Sequence, residues 1–137
     1  MSEREQEIGL GIVLNKNGEV LIIERAKEEK GGDNVTLSWA FPGGKIEEGE
    51  TKEIAVQREV YEETGYRIEV VSVISERRHP QFPVYIYYLE CKLKDDTRIG
   101  SPQDEEIRQM IWVSPSKLDN YFTTDIDKKV AEYLGIR

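Results

Sequence analysis

Three glutamates, Glu59, Glu62 and Glu63, fall in the stretch AVQREVYEETGY (Ala55–Tyr66) at spacings that place them on one face of a helix. Residues three and four apart are neighbours on a helical surface, and like charges there repel by roughly 0.2–0.5 kcal/mol per pair. A bound cation would reverse the sign of that interaction. Hard divalent cations take oxygen ligands, and clustered carboxylates supply them. Such an ion turns an acidic wall from a phosphate repellent into a phosphate clamp, and it can generate a nucleophile from bound water. The alternative is a solvated acidic face in a Glu-rich chain.

With Glu59 at zero on a wheel of about 100° per residue, Glu63 lies at roughly 40°, Glu62 at roughly −60° and Ala55 at roughly −40°. Val56 and Val60 fall at roughly 60–100°, and Ile54 and Tyr61 at roughly 200–220°. Apolar residues are therefore expected on both sides of the acidic face. Arg58 lies one turn before Glu62, where it can brace that carboxylate. The helix opens at Thr51 as N-cap, carries Glu53 in its positive first turn and ends before Gly65.

The elements around this helix are legible from apolar runs and turn residues. Ile8–Leu14, the turn Asn15–Gly18 and Val20–Ile23 form a strand pair. Polar residues from about Lys27 to Leu37 form a loop, and WAFPGGKIEEGE is a short extended piece, a Pro-Gly-Gly turn and a second loop. Strands follow at Ile68–Ser75, Pro83–Leu93 and Gln109–Val113, rich in Val, Ile and Tyr. Pro115–Leu118 opens a short helix, and Asp125–Leu134 a terminal one with Asp125 as its N-cap. Mixed strands with a central and a terminal helix predict an α/β or α+β sandwich.

The 137 residues, 38% of them hydrophobic, suit one globular domain spanning 1–137. A net charge of −8 argues against nucleic acid and acidic membranes as partners, but allows a phosphorylated ligand when cations intervene. No apolar run is long enough for a transmembrane helix, and the charged MSEREQEIGL is no signal peptide. The lone Cys91, in YYLECKL, reads as an inert packed thiol, in keeping with a reducing cytoplasm. The only histidine, His79, follows Arg77 and Arg78; a plain surface loop is expected there, a phosphate-facing rim being the alternative, with no Ser-His, Cys-His or zinc-type set.

Gly44, Glu50, Arg58, Glu59, Val60, Glu62, Glu63 and Gly65 fit the spacing G-x5-E-x7-R-E-U-x-E-E-x-G-U, which resembles the Nudix box. Tyr66 departs from the aliphatic residue preferred at the last position. The resemblance implies an α/β/α sandwich with a mixed sheet and a catalytic loop–helix. It also implies hydrolysis of nucleoside diphosphates linked to another moiety, with magnesium or manganese. Glu59, Glu62 and Glu63 would be metal ligands with the Gly44 carbonyl, while Glu50 and Arg58 would hold the loop against the helix. The segment LIIERA…FPGGKIEEGET looks like the MutT-type branch, which puts Arg25, and secondarily Lys45, on substrate phosphate.

RRHPQFPVYIYYLECKL is similar to the strand pair of that branch and puts Phe82 near the base. In PQDEEIRQMIWV, which offers Asp104, Glu105 and Glu106, the resemblance points to Glu106 as a further metal ligand or general base, with Glu105 next. Asp125 falls where the branch often reads the base. The implied substrate is a (deoxy)nucleoside triphosphate, including an oxidised purine such as 8-oxo-dGTP, hydrolysed by a monomer or homodimer. ADP-ribose, with Pro80 and Pro83, and dinucleoside polyphosphates, with Tyr85, Tyr87 and Tyr88, are the alternatives. A nucleotide sensor without turnover is a third.

Overall fold

The computed structural model describes residues 6–30, 36–80, 82–101 and 103–136. The first strand, β1 (Gln6–Leu14), and the second, β2 (Val20–Lys30), are joined by a turn in which Asn15 Oδ1 accepts from the Asn17 and Glu19 N–H groups at 2.9 Å. After these come β3 (Thr36–Ala40), β4 (Gly43–Lys45), α1 (Lys52–Thr64), β5 (Ile68–Arg78), β6 (Val84–Leu93) and β7 (Ile107–Val113). A 3₁₀ turn at Pro115–Asn120 and the helix α2 (Lys128–Leu134) complete the order.

Among the described residues these strands form one sheet in the order β3-β2-β1-β6-β5, with β4 also on β1 and β7 also on β2. The β1–β6 pairing is parallel and the others antiparallel, so the sheet is mixed. Its central strands are covered on both faces. Ile12, Val20, Ile22, Ile86 and Tyr88 pack with Leu118 and Val130 on one side. Val13, Leu21, Leu89 and Cys91 pack with Val56 and Val60 of α1 on the other. Adjacent residues of one strand thus enter different cores, as the period of two requires, and strands covered on both faces read as continuous apolar runs. The result is the expected α/β/α sandwich. The Cys91 thiol is buried, which pushes its pKa up to about 12 and fits an inert side chain. Among the described residues no helix is long and apolar enough to cross a membrane.

Several features differ from the sequence reading, among them β5, which runs to Arg78, and β7, which begins at Ile107. β2 runs on through Lys30 and β3 begins at Thr36, where a loop from Lys27 to Leu37 was expected; residues 31–35 lie outside the described set. The polar end of β2 is strand because it pairs with β3 through Glu29 and Lys30 and with β7 through Glu24 and Arg25. α2 is capped by Asp127, whose Oδ1 accepts from Lys129 and Val130, and not by Asp125. The two-sided apolar grip on α1 also fails, because Ile54 is 55% exposed while Val56 and Val60 are fully buried.

α1 has the expected ends. Thr51 Oγ1 accepts from Ile54 N at 3.1 Å, and Gly65 closes the helix at φ 80°. Gly43 is more demanding: β4 holds it at φ 148°, and a Cβ there would run into the Gly9 carbonyl of β1. Gly43→Ala is therefore expected to cost more stability than Thr51→Ala, whose lost cap costs ~1 kcal/mol. Urea unfolding midpoints for the two variants check this, and equal midpoints would count against the β4 geometry.

Candidate active site

α1 presents Glu59 and Glu63 to a cavity of about 590 Å³ lined by residues of β1 to β6 and of the segments before β7 and α2. Glu63 is its most buried acid, at 1% exposure. Its Oε1 accepts from the Gly43 N–H at 2.8 Å, and Arg25 Nη2 stands 3.8 Å from Oε2. Burial outweighs both contacts and pushes the Glu63 carboxyl from its ordinary 4.5 up to about 8. Arg25 reaches this place because the β2–β7 register shifts between Glu24 and Arg25, and such an irregularity re-aims a side chain.

Glu59 is half-buried beside Gly44. A Cβ at Gly44 would stand 2.5 Å from Glu59 Oε2, so the bare backbone is what lets the two meet. Burial raises the proton affinity of Glu59, against the pull of Arg58, whose Nη1 lies 2.6 Å from Oε1. Arg58 is the brace of the whole region. Its Nε and Nη2 donate to the two carboxylate oxygens of Glu50 at 2.8 and 2.9 Å, a bidentate fork that holds Glu50 down at about 2. Glu50 Oε1 also accepts from Glu47 N at 2.9 Å, so the loop before α1 is tied to the middle of that helix.

Glu62 stands apart from its two neighbours. Its carboxylate goes to Arg58 Nη1 at 3.2 Å, is 41% exposed and does not line the cavity. The wheel gives the reason: Glu62 lies on the Arg58 side of Glu59, and Glu63 lies on the buried Val60 side. The three glutamates therefore do not converge on one point.

The turn before β7 is strapped across the cavity. Gln103 N and Asp104 N donate to the Glu62 carbonyl at 2.7 and 3.3 Å, and the Glu106 carbonyl accepts from Ala26 N. Glu106 lines the cavity and Glu105 does not. Asp104 lines it as well, and its charge adds to the proton affinity of both Glu59 and Glu63. Its placement rests on a side-chain turn, Oδ1 accepting from Glu106 N at 2.9 Å; an Asp two residues before a Glu was the available sequence signal.

Lys45, Phe82 and Asp125 line the same cavity. So does His79, which corrects its expected place on a plain surface loop. Its ring meets Phe82 edge-on with centroids 4.9 Å apart, its Nδ1 accepts from Phe82 N, and burial lowers its pKa. Asp125 is bound to Arg77, at 3.3 Å from Nη1. Arg77 also lines the cavity, and nothing in the local pattern SERRHP separates it from Arg78.

Among the described residues no three His, Cys, Asp or Glu side chains close round a single metal position. The donor chemistry nevertheless fits a hard cation. Glu59 and Glu63 offer oxygens, the backbone at Gly44 is bare, and burial raises the proton affinity of both acids. Magnesium takes few protein ligands and keeps waters or phosphate oxygens in its remaining positions, so an open half-site suits it.

Comparison with known proteins agrees with this geometry. Residues 7–134 match the sequence profile of the NUDIX domain. The chain is 30% identical over 119 residues to an 8-oxo-dGTP diphosphatase of Haemophilus influenzae, covering 87% of this chain and 83% of that one. It is 30% identical over 127 residues to a MutT-like protein of Streptomyces ambofaciens, covering 93% and 70%. A NUDIX hydrolase from Nitrosomonas europaea shares the fold with a TM-score of 0.76 at 15% identity, over 96% and 90% of the two chains. The protein therefore belongs to the Nudix family, on its MutT-like side, and is an enzyme that hydrolyses the phosphoric anhydride bonds of nucleotides.

Proposed function

We propose that the protein is a cytoplasmic, magnesium-dependent pyrophosphohydrolase, monomeric or homodimeric. It converts a (deoxy)nucleoside triphosphate to monophosphate and pyrophosphate, and manganese can replace magnesium. The observation that carries this reading is one cavity lined both by an acidic wall with Arg25 and by aromatic and hydrogen-bonding groups. A nucleotide has the matching halves. The 8-oxo-dGTP diphosphatase of H. influenzae makes an oxidised purine triphosphate the first substrate to try.

Glu59, Glu63 and the Gly44 backbone would hold the ion, which when bound supplies positive charge for the phosphates and an acidified water. Arg25 binds a phosphate oxygen and offsets charge that grows on it during the reaction. Gly43 and Gly44 let the anhydride approach the backbone closely. Glu106, with Asp104 beside it, takes the proton from the attacking water. Glu50 and Arg58 act on geometry: their fork fixes the loop to the helix and sets the Glu59 carboxylate. Glu62 steadies Arg58 from its other side.

Two outcomes test the division between Glu63 and Glu62. Glu63→Gln is expected to lower chelator-sensitive turnover at least ~100-fold, and Glu62→Gln to lower it less. The ranking fails if Glu62→Gln is the more damaging.

The buried acid also predicts a pH dependence in chelator. Glu63 titrates near its ordinary 4.5 when unfolded and at about 8 when folded, so the folded state binds the extra proton between those values. Stability of the metal-free protein should therefore fall as pH rises from about 4.5 to about 8. Glu63→Gln should flatten that decline, and magnesium should oppose it at pH 8. Thermal melts across pH with and without the ion decide this; an unchanged slope in Glu63→Gln would assign the decline to other groups.

Substrate is read from product release with magnesium and with chelator. The panel holds the common nucleoside triphosphates, 8-oxo-dGTP, ADP-ribose and diadenosine tetraphosphate. Chelator-sensitive pyrophosphate from a triphosphate is the expected result. AMP from ADP-ribose alone would replace this reading, and nucleotide binding without any product would make the protein a sensor.

A further inference from the structure

The connection from β6 to β7 carries Asp104 and Glu106 to the cavity, and on its way it crosses the C-terminal end of α1. It is fixed at both ends. Lys94 N donates to the Arg67 carbonyl at 2.9 Å where the connection leaves β6, and the Glu106 carbonyl accepts from Ala26 N where it joins β7. Between these points the helix end holds it. Ile99 N and Gly100 N both donate to the Gly65 carbonyl at 3.1 Å, and Gln103 N and Asp104 N donate to the Glu62 carbonyl at 2.7 and 3.3 Å. The last carbonyls of a helix have no partner inside it, so the crossing segment satisfies what α1 leaves open.

Two glycines make room for this crossing. A Cβ on Gly65 would run into the Gly100 carbonyl, and a Cβ on Gly100 would run into the Tyr61 ring at Oη and Cζ. Gly65 is also required by its φ of 80°. Gly100 does not adopt a positive φ, so only the lack of room beside Tyr61 calls for glycine there. Tyr61 lies nearly opposite Glu63 on the helical wheel, and neither Tyr61 nor Gly100 lines the cavity.

We infer that Gly100 and Tyr61 are positioning residues for the hydrolysis, their close approach setting the height at which the connection crosses α1 and hence where Glu106 stands. The inference rests on the reading of Glu106 as the group that takes the proton from the attacking water, and it deepens that reading. The path from contact to carboxylate is short and bonded. Asp104 N is held by the Glu62 carbonyl, and Asp104 Oδ1 accepts from Glu106 N at 2.9 Å. With both ends fixed, a segment lifted off α1 at Gly100 has to shift in the stretch that carries these two acids. The Tyr61 ring is a stiff plate on two rotatable bonds and cannot fold aside as a long flexible side chain would. A proton acceptor must stand within about 2.6–3.2 Å of the group it serves, and a misplacement of about 1 Å can cost 100-fold in rate.

The experiment measures kcat and KM in magnesium with the most rapidly hydrolysed nucleotide of the panel above. Gly100→Ala is expected to lower kcat roughly 10- to 100-fold and to leave KM within about twofold, since Arg25 and Glu63 keep their places. Adding Tyr61→Leu to Gly100→Ala should restore most of the loss by making room. Tyr61 is only half-buried, so its own variants report even where Gly100→Ala folds poorly. Tyr61→Ala should lower kcat with KM held, and Tyr61→Phe, which keeps the ring, should not. A role in stability alone would lower the melting temperature without separating kcat from KM. Wild-type kcat in Gly100→Ala and Tyr61→Ala, or a loss that neither Tyr61→Leu nor the retained ring of Tyr61→Phe repairs, overturns this inference. If Glu106→Gln then still loses kcat, the reading of Glu106 stands without it. Wild-type kcat in Glu106→Gln, or no turnover of any nucleotide, overturns that reading and this inference together.

Discussion

Everything at the acidic wall depends on one contact, the buried Glu63 carboxylate against the Gly43 N–H. Removing a carboxylate from water is costly unless its lone pairs are satisfied, and a single backbone donor with Arg25 at 3.8 Å does not satisfy them. The fold holds the group there because its surroundings are fixed by other forces. α1 is located by Val56 and Val60 against the sheet, and Thr64 closes the last turn by donating to the Val60 carbonyl. β4 is located by its ladder to β1. The carboxylate is carried into place by apolar packing and backbone pairing.

The three arginines of the cavity region differ in how far they are committed. Arg58 is spent on structure, with its fork closed on Glu50 and its remaining nitrogen shared between Glu59 and Glu62. Arg25 faces Glu63 across a gap too long for a hydrogen bond. Arg77 is held loosely by several oxygens at once. The same side chain thus ranges from a closed fork to loose contacts, and distance rather than residue type separates the three.

The helix was legible in the sequence because its signals are local. Thr51 and Gly65 specify both ends of α1 within fourteen residues of one another, although the second apolar side expected at Ile54 is exposed. The central strands were legible because strands covered on both faces are continuously apolar. What failed is set by partners far along the chain. Lys27 to Lys30 reads as polar loop, and only its pairing with β3 makes it a strand. Arg77 and Arg78 are adjacent and chemically alike; the strand's alternation puts them on opposite faces, but Asp125 and Asp127, some fifty residues on, give Arg77 its meaning. Asp125 was the expected cap instead of Asp127 because the helix opens on polar Lys128 and Lys129, which do not mark its first residue.

The pairing of valines and glutamates on α1 couples stability to the site. Val56 and Val60 form one i,i+4 pair and Glu59 and Glu63 another, offset by three residues, so the two stripes are adjacent on the wheel. A rotation of α1 that moved Glu63 towards water would lift both valines out of the core. Each buried valine is worth roughly 1.5–3 kcal/mol, which sets a floor under the charge that the helix can be made to bury. Replacing either valine by a smaller residue should loosen this coupling before it unfolds the protein. The sandwich thereby keeps an acidic wall aimed at its cavity by apolar packing.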